Sequence, residues 1–180
     1  MRIIAGKAKG RRLFGPKSLL IRPVSDKVKG AIFNILGPLE GCYVLDLFAG
    51  SGSVGLEAIS RGAEGVVFVD FSPPALTLLN RNIRQCGFQK QAGVIRGRVP
   101  EILPHLARRE RRFDFVFIDP PYDRNRINPT LSALLANKLI DAETTVIIEH
   151  SPREMPECPG LAVLDQRKYG QTLITFMKCA

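Results

Sequence analysis

Cysteine is scarce and scattered in this 180-residue chain: Cys42, Cys86, Cys158 and Cys179 include no C-x-x-C pair. That spacing supports neither a disulfide framework nor a cysteine-bound zinc site, and it fits reduced thiols in a reducing compartment. The two histidines, His105 and His150, have no partners spaced for metal binding, so no metal is expected. No run of about 18 apolar residues occurs, and residues 1–7 lack the uninterrupted apolar core of a signal peptide. These absences point to a cytoplasmic protein with no membrane span. Internal repeats and low-complexity stretches are missing too. With 45% hydrophobic residues the chain can bury one substantial core but is too short for two ordinary domains. A single domain over 1–180 is expected, and a monomer.

Acidic residues are nearly missing from the first 30 positions. Arg2, Lys7, Lys9, Arg11, Arg12, Lys17, Arg22, Lys27 and Lys29 stand against one acid, Asp26, so this segment holds +8 of the formal net charge of +9. A basic segment on a nearly neutral body suits polyanion binding, because neutralising phosphates releases condensed counterions. A solvated charged face or a disordered tail has the same composition. Ile3, Ile4, Leu13 and Phe14 interleave with the charges around Gly6 and Gly10, however, which favours a short hairpin. Arg2, Lys7, Lys9, Arg11, Arg12 and Arg22 are the candidate contacts.

After the hairpin, Ser25 can cap a helix in which Val28, Ala31, Ile32 and Ile35 recur at helical spacing, and Gly37-Pro38 stops it. Residues 1–36 thus read as a basic hairpin and helix extension. Strands are predicted over 43–48, 66–70, 93–96, 113–118 and 145–149, with helices over 54–61, 72–87, 99–109 and 127–138 between them. Strands alternating with helices imply an α/β fold with a parallel sheet covered on both faces. Residues 161–168 and 172–178 flank Tyr169-Gly170-Gln171 and read as a closing hairpin. The sheet then has seven strands, with the last antiparallel.

The segment DLFAGSGSVGLEAISRGAEGVVFVD, residues 46–70, contains Gly50-Ser51-Gly52-Ser53-Val54-Gly55, which satisfies the dinucleotide fingerprint G-x-G-x-x-G. In a doubly wound sheet the loop after the first strand is the ligand site whichever ligand it takes. Asp46 discriminates. A carboxylate in a poorly solvated cleft repels a pyrophosphate but attracts a ligand with a positive centre, such as an ammonium or a sulfonium. Asp46 can also cap the loop by accepting its backbone N–H groups. The stretch Asp46-Leu47-Phe48-Ala49-Gly50-Ser51-Gly52 resembles motif I of the class I S-adenosylmethionine-dependent methyltransferases, which have a Rossmann-like fold. That resemblance implies that Gly50 and Gly52 admit the methionine part of the cofactor and that Asp70, at the end of the second strand, accepts hydrogen bonds from the ribose hydroxyls. Phe48 and Phe71 would line the cofactor cleft or fill core.

Asp119-Pro120-Pro121-Tyr122 follows the strand over 113–118 and so falls at a neighbouring carboxyl-end loop. Successive prolines hold the Asp119 carboxylate, the Pro120 carbonyl and the Tyr122 ring in an extended turn. Methylation of an amine on a base needs this trio. The nitrogen lone pair is delocalised into the ring, acceptors on its hydrogens localise it, and an aromatic residue stacks on the base once it has left its helix. The tetrapeptide resembles the [Asn/Asp/Ser]-Pro-Pro-[Tyr/Phe/Trp] motif of amino-methyltransferases acting on adenine N6, guanine N2 or glutamine side chains. Cytosine-C5 chemistry is disfavoured, since no cysteine lies near such a loop.

Over nearly all 180 residues, the opening Met1-Arg2-Ile3-Ile4-Ala5-Gly6-Lys7, the run Arg22-Pro23-Val24-Ser25-Asp26-Lys27-Val28 with Phe33-Asn34-Ile35-Leu36, DLFAGSG, DPPY, Glu149-His150-Ser151 and Lys168-Tyr169-Gly170 together resemble the RsmD family. That family consists of guanine-N2 methyltransferases of small-subunit (16S) ribosomal RNA. The resemblance implies S-adenosyl-L-methionine as cofactor and ribosomal RNA as partner, free or within an assembling 30S particle. It implies Asp119, Pro120 and Tyr122 as catalytic residues, with Pro121 and Tyr122 against the base. Guanine offers N1–H and N2–H as adjacent donors to an acceptor-only carboxylate; adenine N6 stays open on that ground alone. Two positions depart from the pattern: Arg98 stands where an acid binding adenine is expected, and Asp70 replaces the expected Glu. Arg98 can face either the cofactor or substrate phosphate. Arg22 and Ser25 can meet the cofactor carboxylate at a helix N-terminus, or Ser25 is only a cap. The run Arg108-Arg109-Glu110-Arg111-Arg112 reads as a solvated helix end.

Overall fold

The computed structural model describes residues 1–15, 26–108 and 112–180. The expectations for Arg22 and Ser25, and for part of the 108–112 run, lie outside the described residues. The five parallel strands are β1 (Tyr43–Leu47), β2 (Gly65–Asp70), β3 (Ala92–Arg96), β4 (Phe115–Ile118) and β5 (Thr145–His150), and β6 (Leu161–Tyr169) and β7 (Thr172–Cys179) form the closing hairpin. The seven-stranded sheet has the order β3-β2-β1-β4-β5-β7-β6. Strand β7 pairs antiparallel with both β5 and β6. This is the Rossmann-like class I methyltransferase fold.

Alternating side chains divide the sheet into two faces. Val44, Phe68, Phe117, Ile147 and Ile174 pack beneath α1 (Asp26–Leu36), α2 (Ser53–Ser60) and α3 (Pro73–Cys86). Leu45, Leu47, Val69, Ile118 and Ile148 pack under α4 (Leu103–Ala107) and α5 (Ile127–Ala136). The helix expected over 99–109 shortens at its start to Leu103. Pro100 and Pro104 cannot donate to preceding turns, and residues 97–102 form a turn closed by Ile102 N–H on the Arg98 carbonyl.

The N-terminal segment is a wound loop rather than two strands. One isolated antiparallel bridge, Arg2 to Arg12, stands where a hairpin was expected, supported by Ile3 N–H on the Arg11 carbonyl and Gly10 N–H on the Ile3 carbonyl. The body holds it from two sides. On α2, the fully buried Glu57 accepts the N–H groups of Ile4 (2.7 Å) and Ala5 (3.0 Å). Gly6, at φ +78°, lies so close to α2 that a Cβ there would sit 1.7 Å from the Ser60 carbonyl oxygen. On α3, the buried Asn82 accepts the Phe14 N–H and donates to both the Phe14 and Ser51 carbonyls. One amide thus joins the segment to the Gly-rich loop.

Helix α1 departs from its expected stripe. Lys29 is fully buried, and Ile35, expected inside, is half-exposed. The Lys29 ammonium donates to the Arg2 carbonyl (2.7 Å) and to Ser53 Oγ (3.0 Å), with Glu57 3.7 Å away. Burial pushes the Lys29 ammonium below its usual range, against the pull of Glu57. This lysine is an internal strut, so the basic segment presents one cation fewer than its sequence suggests.

Candidate active site

The chain runs from β1 outward through β2 and β3, then returns to β4 on the other side of β1. Ligands collect at such a reversal, beyond the carboxyl ends of the strands. A cleft of about 1240 Å³ opens there. Its lining includes Asp46, Phe48, Gly50, Asp70 and Phe71 from the β1–β2 side and Asp119, Pro120, Pro121, Tyr122 and Glu149 from the β4–β5 side.

Asp46 sits on the face of β1 that packs under α1–α3, level with Phe68 and Phe117. Its carboxylate is buried and accepts the Gly55 N–H (3.0 Å). Burial, helped by the charge of Asp70, pushes its pKa up to about 7. Asp70 ends β2 and accepts two backbone N–H groups, from Gly50 on one oxygen (2.8 Å) and from Ser72 on the other (2.9 Å). It thereby ties the Gly-rich loop to the start of α3. Phe48 lines the cleft with φ at +60°, a region that non-glycine residues seldom occupy. Gly52, at φ +77°, lies off the cleft: a Cβ there would be 2.3 Å from Leu79 Cδ1, so its missing side chain lets α2 and α3 close up. Phe71 is half-exposed, with the Arg98 guanidinium stacked 4.6 Å from its ring centre; Arg98 itself does not line the cleft.

On the other side, Asp119 follows β4 by one residue. Burial, reinforced by the charges of Glu149 and Asp46, holds its carboxyl well above the ordinary carboxylate range. Pro120 is buried and Pro121 exposed. The half-exposed Tyr122 donates its hydroxyl to Glu149 Oε1 (3.0 Å) and shares a hydrogen bond with Thr172 Oγ1 (3.0 Å). The loop is fastened again one residue on: Asp123 accepts the Ser151 hydroxyl (2.8 Å), and its N–H donates to Glu154 (3.0 Å).

Sequence reasoning assigned no separate roles to Glu149, Ser151 and Glu154, although counting two residues on from the cleft-lining Ile147 reaches Glu149. Phe14, Arg81 and Arg124 also line the cleft without a sequence signal, and Arg81 stacks on Phe14 at 3.3 Å. Of the expected polyanion contacts, Lys7, Arg11 and Arg12 lie along α3 and the start of β3. Lys7 donates to Gln91 (2.8 Å) and covers the Phe88 ring, Arg11 donates to the Gln85 carbonyl, and the Arg12 carbonyl accepts from Gln85. Arg2 pairs with Asp26 (3.1 Å), and Lys9 is exposed.

A family model described as "Conserved hypothetical protein 95" matches residues 1–178. The chain is a member of the RsmD methyltransferase family. It is 33% identical to "Ribosomal RNA small subunit methyltransferase D" of Escherichia coli (strain K12), over 93% of this chain and 84% of that protein. The Haemophilus influenzae protein of the same name is 36% identical, over 83% of this chain and 78% of its own length. Among solved structures, a hypothetical protein of Thermus thermophilus superposes with a TM-score of 0.83 at 34% identity, covering 99% of both chains. RsmD-family membership places DLFAGSG and DPPY, which the fold brings to one cleft, in a methyltransferase.

Proposed function

We propose that this RsmD-family chain transfers a methyl group from S-adenosyl-L-methionine to the exocyclic N2 of a guanine in small-subunit ribosomal RNA, in the cytoplasm. The observation that carries the reading is the meeting of the Gly-rich loop and the DPPY loop in one cleft. At about 1240 Å³ it exceeds the 300–1,000 Å³ that one drug-sized ligand usually occupies, which leaves room for a cofactor and an extruded base. The names of the Escherichia coli and Haemophilus influenzae relatives support the ribosomal substrate.

The residues fit that cofactor. A buried acid whose pKa is pushed up to about 7 is relieved by a cationic neighbour, so Asp46 favours a ligand with a positive centre. Asp70 keeps lone pairs for ribose hydroxyls beyond the two that its backbone bonds use. When bound, the cofactor supplies an electrophilic methyl on a positively charged sulfur. Asp119 and the Pro120 carbonyl accept the amine hydrogens and aim the nitrogen lone pair, while Tyr122, its hydroxyl held by Glu149 and Thr172, presents its ring to the base. Such catalysis is orientation plus electrostatics, with no covalent enzyme intermediate. The test offers radiolabelled cofactor with ribosomal RNA, assembled small subunits and unmethylated DNA in parallel, then digests each acceptor to nucleosides. Label in N2-methylguanosine from ribosomal material supports the reading. Label in N6-methyladenine, or cofactor binding without transfer, overturns it.

A further inference from the structure

We propose that Glu149 selects guanine by accepting the N1–H of the base whose N2 amine meets Asp119. This specificity role rests on the guanine-N2 reading above.

The sheet register supplies the geometry. Strands β4 and β5 pair with Phe117 opposite Ile147 and Ile118 opposite Ile148. Phe117 and Ile147 face the side covered by α1–α3, and both line the cleft. Two residues past Ile147 on β5 is Glu149, and the first residue past the end of β4 is Asp119; both line the cleft. The two strands are direct neighbours, about 4.8 Å apart, so both carboxylates come to the same stretch of cleft wall. The charge of Glu149 raises the Asp119 pKa, which also places the two acids within electrostatic reach. Tyr122 and Thr172 fix the arrangement through the Tyr122 hydroxyl on Glu149.

Adjacent carboxylates, acceptor-only once ionised, suit a ligand edge carrying adjacent donors, which also favours their ionised form. Guanine presents N1–H beside its N2 amine. Adenine presents N1 as a bare acceptor beside its N6 amine, and a carboxylate against a bare ring nitrogen leaves two acceptors facing each other with no proton between them. Glu149 therefore attracts one purine edge and repels the other.

The decisive probe is a base that keeps the N2 amine and loses N1–H. After mapping of labelled RNA fragments has located the modified guanosine, it is replaced by 2-aminopurine in a ligated ribosomal RNA. Methyl transfer is measured for both RNAs, and binding is measured with no methyl donor present. Sites built to bond a substrate N–H reject analogues lacking it by large factors, so the wild-type protein is expected to prefer guanine by about 100-fold or more. Glu149→Gln, whose amide can donate to a bare N1, is expected to lower transfer to guanine and to move the guanine to 2-aminopurine ratio at least about tenfold towards 2-aminopurine. An unchanged ratio in Glu149→Gln, or a wild-type protein that methylates both bases equally, overturns the proposal. The wild-type comparison needs no variant to fold. A purely structural role, holding Tyr122, slows both bases alike and leaves the ratio fixed. If the wild type puts no label in N2-methylguanosine at all, the functional reading fails and this proposal falls with it, a result distinct from an unchanged ratio.

Discussion

On the β1–β2 side of the cleft, both oxygens of Asp70 accept backbone N–H groups and Asp46 accepts one from Gly55. On the β4–β5 side, no hydrogen bond reaches the Asp119 carboxylate from the described residues, and it stands beside Glu149. Both sides set acids into the cleft wall, buried on the first side and half-buried on the second, but for different ends. The first side uses them to fasten the Gly-rich loop, so it is finished before any ligand arrives. The second side brings Asp119 and Glu149 to one cleft wall, with Glu149 held by the Tyr122 hydroxyl and Asp119 left for the proposed substrate edge. Changes on the first side should therefore register in stability and cofactor affinity, and changes on the second in turnover.

The sharpest division comes from Asp119→Ala. It is expected to lower kcat by on the order of 10³-fold, the scale of losing one preorganised polar group, while cofactor affinity by calorimetry stays within about threefold. A parallel fall in cofactor affinity would merge the two sides. Asp46→Asn should act oppositely, since Asn still offers a carbonyl to Gly55. The folded pKa of Asp46 is raised, so the native state binds the extra proton, and its stability cost is absent below about pH 4, grows with rising pH and is complete above about pH 7. Asp46→Asn is expected to stabilise the protein at pH 8 by at most about 4 kcal/mol, to lose that gain on acidification, and to bind cofactor more weakly; thermal melts across pH test the sign. Asp70→Asn puts an amide N–H against a backbone N–H. A loss of about 1–3 kcal/mol, or about 2–4 °C in Tm per kcal/mol, should accompany weaker cofactor binding. Smallest is the joint change of Lys7, Lys9, Arg11 and Arg12 to Gln. It should leave kcat unchanged at saturating RNA and flatten the salt dependence of RNA binding by about 0.7–0.9 log units per lost phosphate contact; an unchanged slope removes these cations from the interface.

Local pattern and resemblance made much of this fold legible in the sequence. Apolar runs such as Val44-Leu45 and Phe115-Val116-Phe117-Ile118, each followed by a loop rich in Gly or Pro, placed both halves of the cleft next to each other. Contacts between distant segments were not legible. Lys29 counted as surface charge because nothing near it in sequence announces Glu57, its buried partner 28 positions away. Asn82 looked like any polar residue on α3, and only the folded chain brings Phe14 and Ser51 to its amide. Gly52 fitted a cofactor-contact motif, yet the space beside it is filled by Leu79 from α3.

The fastening of residues 1–15 also bears on kinetics. Lifting the segment away would strip two N–H donors from the fully buried Glu57 and the Arg2 carbonyl from the buried Lys29 ammonium, a cost of several kcal/mol. Its cations therefore meet an incoming polyanion as a surface already in its final shape. RNA binding on this face, as proposed, would carry no disorder-to-order penalty for these residues. Its rate should follow electrostatic steering and fall with ionic strength, and the binding heat capacity should lack the large negative contribution of coupled folding.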